Sequence, residues 1–460
     1  MKKVIAIALA GAVGITGLVL TNFIRDDRPV LKIANCAEYI AGGDEDSYLL
    51  REFEAWYEEQ TGKQIRVEYC IYDENETLYN MLKMGDHFDL VCPSDYMFMK
   101  LFAEGRIQKL PEWFFDTSNT DNYYIKNLSP FIKQTYENNE IADTPWKEFA
   151  AGYMWGTTGF VYNPEEVDEE DVQSWNAFTN AKYAKKITAK NNIRDSYFTG
   201  LAMHYDAELR DLKAQYEAGS LSYLEYQNIL KQMMNDTSPE TMNAVKTKLM
   251  SMTRNLYGFE TDEGKNDTIA GKILVNYQWS GDAVYIMDTA EYGEEEEEES
   301  ENFESLILNY AIPETVSNLW FDSWVITKNC NDVDAAAMFI NFLSKPENAV
   351  ENMNYIGYTS CIGSETVFTN FVLDYYSAED DDDEAVEYDL NYFFNPSYDK
   401  NNPSTHDDTY VFKTPADQIK RQLFAQYPDE NTLARCVAME YFDADANSRA
   451  NSMWSDITFF

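Results

Sequence analysis

The chain has 460 residues, 45% of them hydrophobic and 15% aromatic, enough for a large core and more than one domain. Its formal charge of −44 argues against a nucleic-acid partner, because phosphates would be repelled. The same charge permits a cationic partner, although an acidic surface more often serves solubility. Part of the charge sits in two runs, Glu294–Glu299 and Ala378–Glu384, which read as solvated loops. Six cysteines without C-x-x-C or zinc spacing, and three scattered histidines, point to no metal cluster, and disulfide pairing is left open.

The amino end carries Lys2 and Lys3 and then an apolar run from Val4 to Ile24, and roughly 20 such residues span a bilayer. The basic flank before the run and Asp26–Asp27 after it orient the rest of the chain outside the membrane. No convincing A-x-A site follows the run, so the expectation for residues 1–27 is an uncleaved anchor rather than a removed signal peptide. Either way the body is exported.

Beyond it, "VLKIANCAEYI" reads as a strand, and "SYLLREFEAWYEEQTG" as an amphipathic helix closed by Gly62 at its C-cap. "KQIRVEYCIY" is a second strand, and "ETLYNMLKMG" a helix with another terminal glycine. "FDLVCPSDYMFMKLFAEGRIQKL" gives a buried strand, a Pro-Ser turn and a helix. This alternation predicts a mostly parallel α/β sheet, whose ligands gather at the carboxyl ends of strands. From Trp155 the pattern repeats: "WGTTGFVYN" is an extended crossing segment, "AKKITAKNNIRDSYFTGLAMHY" is strand, loop and helix, and residues 205–255 are polar helices. "GKILVNYQWSGDAVYIM" is strand, turn and helix, and "NLWFDSWVIT" is a strand leading back, followed by an amphipathic helix that Pro346 ends. A chain that leaves one α/β unit and returns to it predicts two lobes with a cleft between them. The first lobe takes residues 28–153, the second 154–312, and residues 313–460 return to the first with C-terminal helices not assigned to either.

Among residues able to do chemistry, the nucleotide, hydrolase and zinc-protease motifs G-x-S-x-G, G-x-G-x-x-G, the P-loop and H-E-x-x-H are all missing. What recurs is an aromatic beside an acid or hydroxyl at a strand end: Glu38 with Tyr39, Ser94 with Tyr96, Trp279 with Asp282, Trp320 with Asp322, and Tyr358. Taken singly, each is explained by core packing or helix capping, and Asp282 reads as a cap or turn residue. Together they suit an organic ammonium, which indole faces attract and carboxylates bind through charge-assisted hydrogen bonds. Trp320, Asp322 and Trp324 alternate along one strand and so share a face, leaving a carboxylate between two indoles.

These segments resemble the bacterial periplasmic spermidine/putrescine-binding proteins, the solute receptors of polyamine ABC transporters. The likeness runs from about Leu31 through Tyr358 and rests on "NCAEY", "YDENETLYNMLK", "FDLVCPSDYMFMKLFAEGRIQKL", "YMWGTTGFVYN", "QWSGDA", "WFDSWVI" and "YIGYTS". The resemblance implies a two-lobed type II binding fold with crossing hinge strands, no cofactor, a monomer, and permease subunits as partners. It nominates Glu38, Tyr39, Ser94, Tyr96, Asp195, Trp279, Trp320, Asp322 and Tyr358 as ligand contacts, with Asp322 on an amine and Trp320 along the polyamine chain; Tyr441 or Glu440 matches more loosely. Three departures stand out. Cys36 and Ala37 replace an aromatic and its hydroxyl neighbour, Asn192 replaces an aspartate, and insertions fall near 205–260, at the glutamate run and near 376–415. The other readings are the same fold on another small solute, a secreted hydrolase using paired carboxylates, and a tethered module with no permease.

Overall fold

The computed structural model describes residues 26–260, 263–293, 304–379 and 382–458. Most of the segment expected as an anchor (1–27), the run Glu294–Glu299 and part of the run Ala378–Glu384 lie outside the described residues. No helix among the described residues is long and apolar enough to cross a membrane.

The strand–helix alternation forms as the sequence predicts. The strand Val30–Cys36 pairs in parallel with Arg66–Tyr72 and Leu90–Val91. The helix Tyr48–Thr61 starts on the Ser47 hydroxyl, which accepts from the Leu49 N–H, and buries Leu49, Leu50, Phe53 and Tyr57 at helical spacing. It stops at Gly62, whose φ of 69° a side chain would resist. On the far side, Ile187–Lys190 pairs in parallel with Val275–Trp279 and Gly258–Glu260. The helices Asp206–Glu217, Tyr223–Met234 and Pro239–Thr253, in the first of the inserted regions, bury their apolar faces in the core on this side.

The middle of the sheet departs from the parallel expectation. Two long buried strands, Ala151–Tyr162 and Ser317–Ile326, run antiparallel to each other. Each is antiparallel to the flank it adjoins, Leu90–Val91 on one side and Val275–Trp279 on the other. The two parallel flanks therefore run in opposite directions and aim their carboxyl ends at one another. Ser94 bridges to Asp322, which pairs with Met154; Trp279 pairs with Thr158. Gly156, the partner of Trp320, lies between those two levels.

Two hydrophobic cores result. One gathers side chains from Leu31 to Trp155, most of the returning chain, and also Val284, Ile286 and Met287 of the helix Ser280–Tyr292, which precedes the return. The other is built around Trp175, Phe178, Tyr197, Leu201 and Leu249, and also takes Ala446, Ala450, Met453 and Ile457 of the C-terminal helix Ala444–Thr458.

The register shifts between Asp322 and Ser323, so that Tyr153 has no counterpart on the partner strand. Such a bulge rotates the side chains that follow it. Here the extra residue is on the Ala151–Tyr162 strand, and Ser317–Ile326 keeps its alternation. Phe321 and Ser323 both meet Tyr136, while Trp324, on the Asp322 face, packs against Tyr153 and Phe339 at ring separations of 5.2 and 5.7 Å. Trp320 lies across Gly156 instead, where a Cβ would come within 2.5 Å of the indole and 2.2 Å of the Ser280 Oγ. Trp320, Asp322 and Trp324 therefore share a face as expected, with Trp320 against Tyr358 and Trp324 against Tyr153. Overpacking a buried site costs about 1–3 kcal/mol. Gly156→Ala should lower the unfolding free energy by that amount, read as a lower urea midpoint at an unchanged m-value, and should alter the tryptophan emission through Trp320.

Candidate ligand-binding site

Each residue at the meeting of the strand ends arrives there by a local device. Ser94 occupies the N-cap position of the helix Asp95–Ala103, yet its side chain makes no capping bond. Its hydroxyl donates to Asp322 Oδ1 at 2.6 Å, while Asn75 holds it in place by donating to Ser94 Oγ at 3.0 Å and accepting from the Ser94 N–H. Tyr39 donates from its hydroxyl to Asp322 Oδ2 at 2.7 Å. The Tyr153 hydroxyl donates to the Tyr39 carbonyl, so the bulged residue steadies this loop. Burial pushes the Asp322 carboxyl above its ordinary range, and only the Ser94 and Tyr39 hydroxyls pull the other way. Among the described residues Asp322 has no ion-pair partner.

Aromatic rings wall this carboxylate. Tyr358 meets Tyr39 edge-on at 5.6 Å and Trp320 at 5.4 Å. Trp320 donates its indole N–H to the Thr157 carbonyl at 3.1 Å, which fixes the plane of the ring. Tyr358 lies flush on Gly281, where a Cβ would stand 1.6 Å from the ring, so this position admits no side chain. Cys36, in place of an aromatic, is partly buried beside this group, and burial raises its thiol to about 12. The six cysteines are free thiols.

A second, differently charged group lies on the far side. Asp282 is in the first turn of the helix Ser280–Tyr292 and does not cap it. Its carboxylate meets Lys190 Nζ at 3.3 Å and Lys265 Nζ at 2.9 Å, and accepts from the Tyr358 hydroxyl at 3.2 Å. Burial opposes ionisation of Asp282, but the two lysines overcome it and hold the carboxyl below the usual range. Lys190 ends the strand Ile187–Lys190 with 1% of its surface exposed, and its ammonium stands 3.6 Å from the centroid of the Trp279 indole. Burial lowers its pKa, with Asp282 and Asp195 opposing that. Asp195 is buried and lifted to about 6, against the pull of Lys190 and a hydrogen bond from Trp279. Asn192, where the resemblance implies an aspartate, caps the helix Ile193–His204 by accepting from the Arg194 and Asp195 N–H groups.

Of the nine nominated residues, Tyr39, Ser94, Trp320, Asp322 and Tyr358 form one connected cluster, and Asp195 and Trp279 belong to the lysine group beside it. Tyr96 faces the Arg194 guanidinium at 4.6 Å and donates to Glu76. Glu38 is not brought in: its backbone turns at φ 55°, its N–H donates to Asp44, and its side chain is exposed. Glu440 takes part through its carbonyl, which accepts from Arg194, and its carboxylate pairs with Lys231. Lys190, Lys265 and Arg194 were not singled out in the sequence. Lys190 could have been, because it stands at the carboxyl end of a strand, the criterion that selected the others.

A family model described as bacterial extracellular solute-binding protein matches residues 53–365. The putrescine-binding periplasmic protein SpuD of Pseudomonas aeruginosa is 28% identical over 356 residues, 76% of this chain and 81% of that protein. The spermidine/putrescine-binding periplasmic protein of Salmonella typhimurium is 25% identical over 350 residues, 75% of this chain and 82% of that one. Among solved structures, the spermidine/putrescine ABC transporter substrate-binding protein PotD of Streptococcus pneumoniae shares the fold with a TM-score of 0.55 at 23% identity, covering 94% of this chain and 99% of that chain. The TpPotD lipoprotein of Treponema pallidum does so at 0.59 and 18%, covering 94% and 100%. The α/β binding-protein fold expected from the sequence is the fold these structures share, and a matched region of that extent settles the family. The chain belongs to the bacterial extracellular solute-binding proteins, and is a binding protein of the extracytoplasmic space rather than an enzyme.

Proposed function

We propose that this chain captures a slender aliphatic amine of the polyamine class in the cleft between its two cores and delivers it to the permease of an ABC importer. One observation carries the reading: Asp322 is a desolvated carboxylate held by two hydroxyls, walled by Tyr39, Trp320 and Tyr358, and without a cation of its own among the described residues. Such a group is costly alone and gains most from an incoming ammonium. The names of its relatives, which bind putrescine or spermidine, support the ligand class. Between those two, the shorter and less charged putrescine asks less of a cleft that already holds Lys190 and Lys265. We read the two cores as lobes that hinge on the crossing strands, and residues 1–27 as a tether that keeps the receptor beside its permease.

A charge-assisted hydrogen bond contributes about 1.5–3 kcal/mol, and 1.4 kcal/mol is tenfold in affinity. Asp322→Asn should therefore weaken amine binding at least tenfold by calorimetry. The apo melting temperature should not fall, because ionised Asp322 costs the folded state free energy that an asparagine does not. Unaltered affinity in that variant would remove Asp322 from the site.

Proton competition gives a second expectation. Amine binding needs ionised carboxylates, and burial raises both Asp322 and Asp195, the latter to about 6. Affinity should thus decline as pH falls, starting above the ordinary carboxylate pKa of about 4. A titration series from pH 8 to 5 checks this, and an affinity constant down to pH 5 would contradict it.

A further inference from the structure

The two carboxylates of the cleft are satisfied by different means. Asp322 has hydroxyl donors, whereas Asp282 is already engaged by Lys190, Lys265 and the Tyr358 hydroxyl. Lys190 also stands over the Trp279 face at 3.6 Å, the placement in which an indole attracts an ammonium. Its side chain reaches that position from the strand end at Lys190 itself, is almost wholly buried, and lies between two carboxylates, Asp282 and Asp195. An acid and an indole that would otherwise suit one amine of a diamine thus hold an amine supplied by the chain.

The charges on this side confirm the polarity of the cleft. Lys190 and Lys265 stand against Asp282, and Arg194 against Glu76, Asp95 and Asp195. Arg194 is buried between the rings of Tyr96 and Phe442, at 4.6 and 3.7 Å, and its Nε and Nη1 have no hydrogen-bond partner among the described residues. One pole of the site is a carboxylate with no ion-pair partner among the described residues, and at the other the carboxylate already has ammonium groups of the chain on it.

We propose that Lys190 is a built-in ammonium filling the second cation position of the cleft, so that this chain takes slender ligands with one ammonium and a neutral or anionic far end. A mono-acylated diamine and an ω-amino carboxylate have that chemistry; a diamine places its second charge beside Lys190. The inference rests on Asp322 as the acceptor of the one ammonium, which the Proposed function assigns. It makes Lys190 the residue that sets specificity, by removing one charge from the ligand the site can hold.

Calorimetry with putrescine, N-acetylputrescine and 4-aminobutyrate, on the wild type, Lys190→Met and Asp322→Asn, tests it. The wild type should bind at least one of the single-ammonium ligands tenfold or more tighter than putrescine. Lys190→Met, which empties the position over Trp279 and leaves Asp282 one lysine fewer, should shift the ratio toward putrescine by at least tenfold. If Lys190→Met does not fold, the wild-type ranking decides alone. Putrescine as the tightest ligand of the wild type, with Asp322→Asn abolishing its binding, would overturn this inference and leave the amine receptor standing. An unchanged ratio in a folded Lys190→Met would also overturn it. Failure of all three ligands to bind the wild type would overturn it together with the reading of Asp322.

Discussion

The antiparallel pairing of Ala151–Tyr162 with Ser317–Ile326 is the constraint on which the site depends. Parallel strands end together, and their carboxyl ends release polar loops on one side of a sheet. Two such flanks joined directly would place those loops along one edge. Two antiparallel strands inserted between them reverse one flank, so that Ser94 from one and Trp279 from the other arrive within a few residues of Gly156. The meeting of these strand ends is a consequence of strand direction before any side chain is considered. The glycines at 156 and 281 then let Trp320 and Tyr358 lie against backbone where a Cβ would stand in the way.

Asp322 and Asp282 are an internal comparison of what a nearby cation does. Both carboxylates are largely withdrawn from water, and burial raises each. The outcome differs in sign because Asp282 has two ammonium groups within 3.3 Å and Asp322 has hydroxyls only. At an effective dielectric of 20, a charge pair at 4 Å is worth about 4 kcal/mol, more than a neutral hydrogen bond supplies. The overall charge of −44 has no bearing on this contrast. Local geometry decides which acid keeps its proton affinity and which loses it.

Much of this was legible in the sequence. Gly62 and Ser47 bounded the first long helix correctly, and the strand-end acids and aromatics led to Tyr39, Ser94, Asp322 and Tyr358. The misreadings have physical causes. Strand alternation put Trp320, Asp322 and Trp324 on one face and they share it, but Trp324 packs on Tyr153 and Phe339, which no local pattern shows. Glu38 sits one residue from Tyr39, and a positive φ sends its side chain to solvent. Asp282 resembled a cap because an acid in the first turn of a helix often is one, whereas its partners come from elements 92 residues away and nearer. Lysines mostly read as surface residues, so the strand-end position of Lys190 was the one sign in the sequence, and its burial gives that sign weight.

Tyr358 gives the two poles of the cleft a physical connection. Its ring packs on Tyr39 and Trp320, which serve Asp322, and its hydroxyl donates to Asp282, which serves Lys190. Its seat on Gly281 leaves the ring little freedom to follow one pole without the other. A ligand that moves the Tyr39 hydroxyl away from Asp322 must also press on the Tyr358 ring, and so on the hydrogen bond that helps neutralise Asp282. Charge at one end of the cleft and order at the other are therefore joined through a single side chain. Tyr358 is thus wedged between two acids, one paired with lysines and one held by hydroxyls alone.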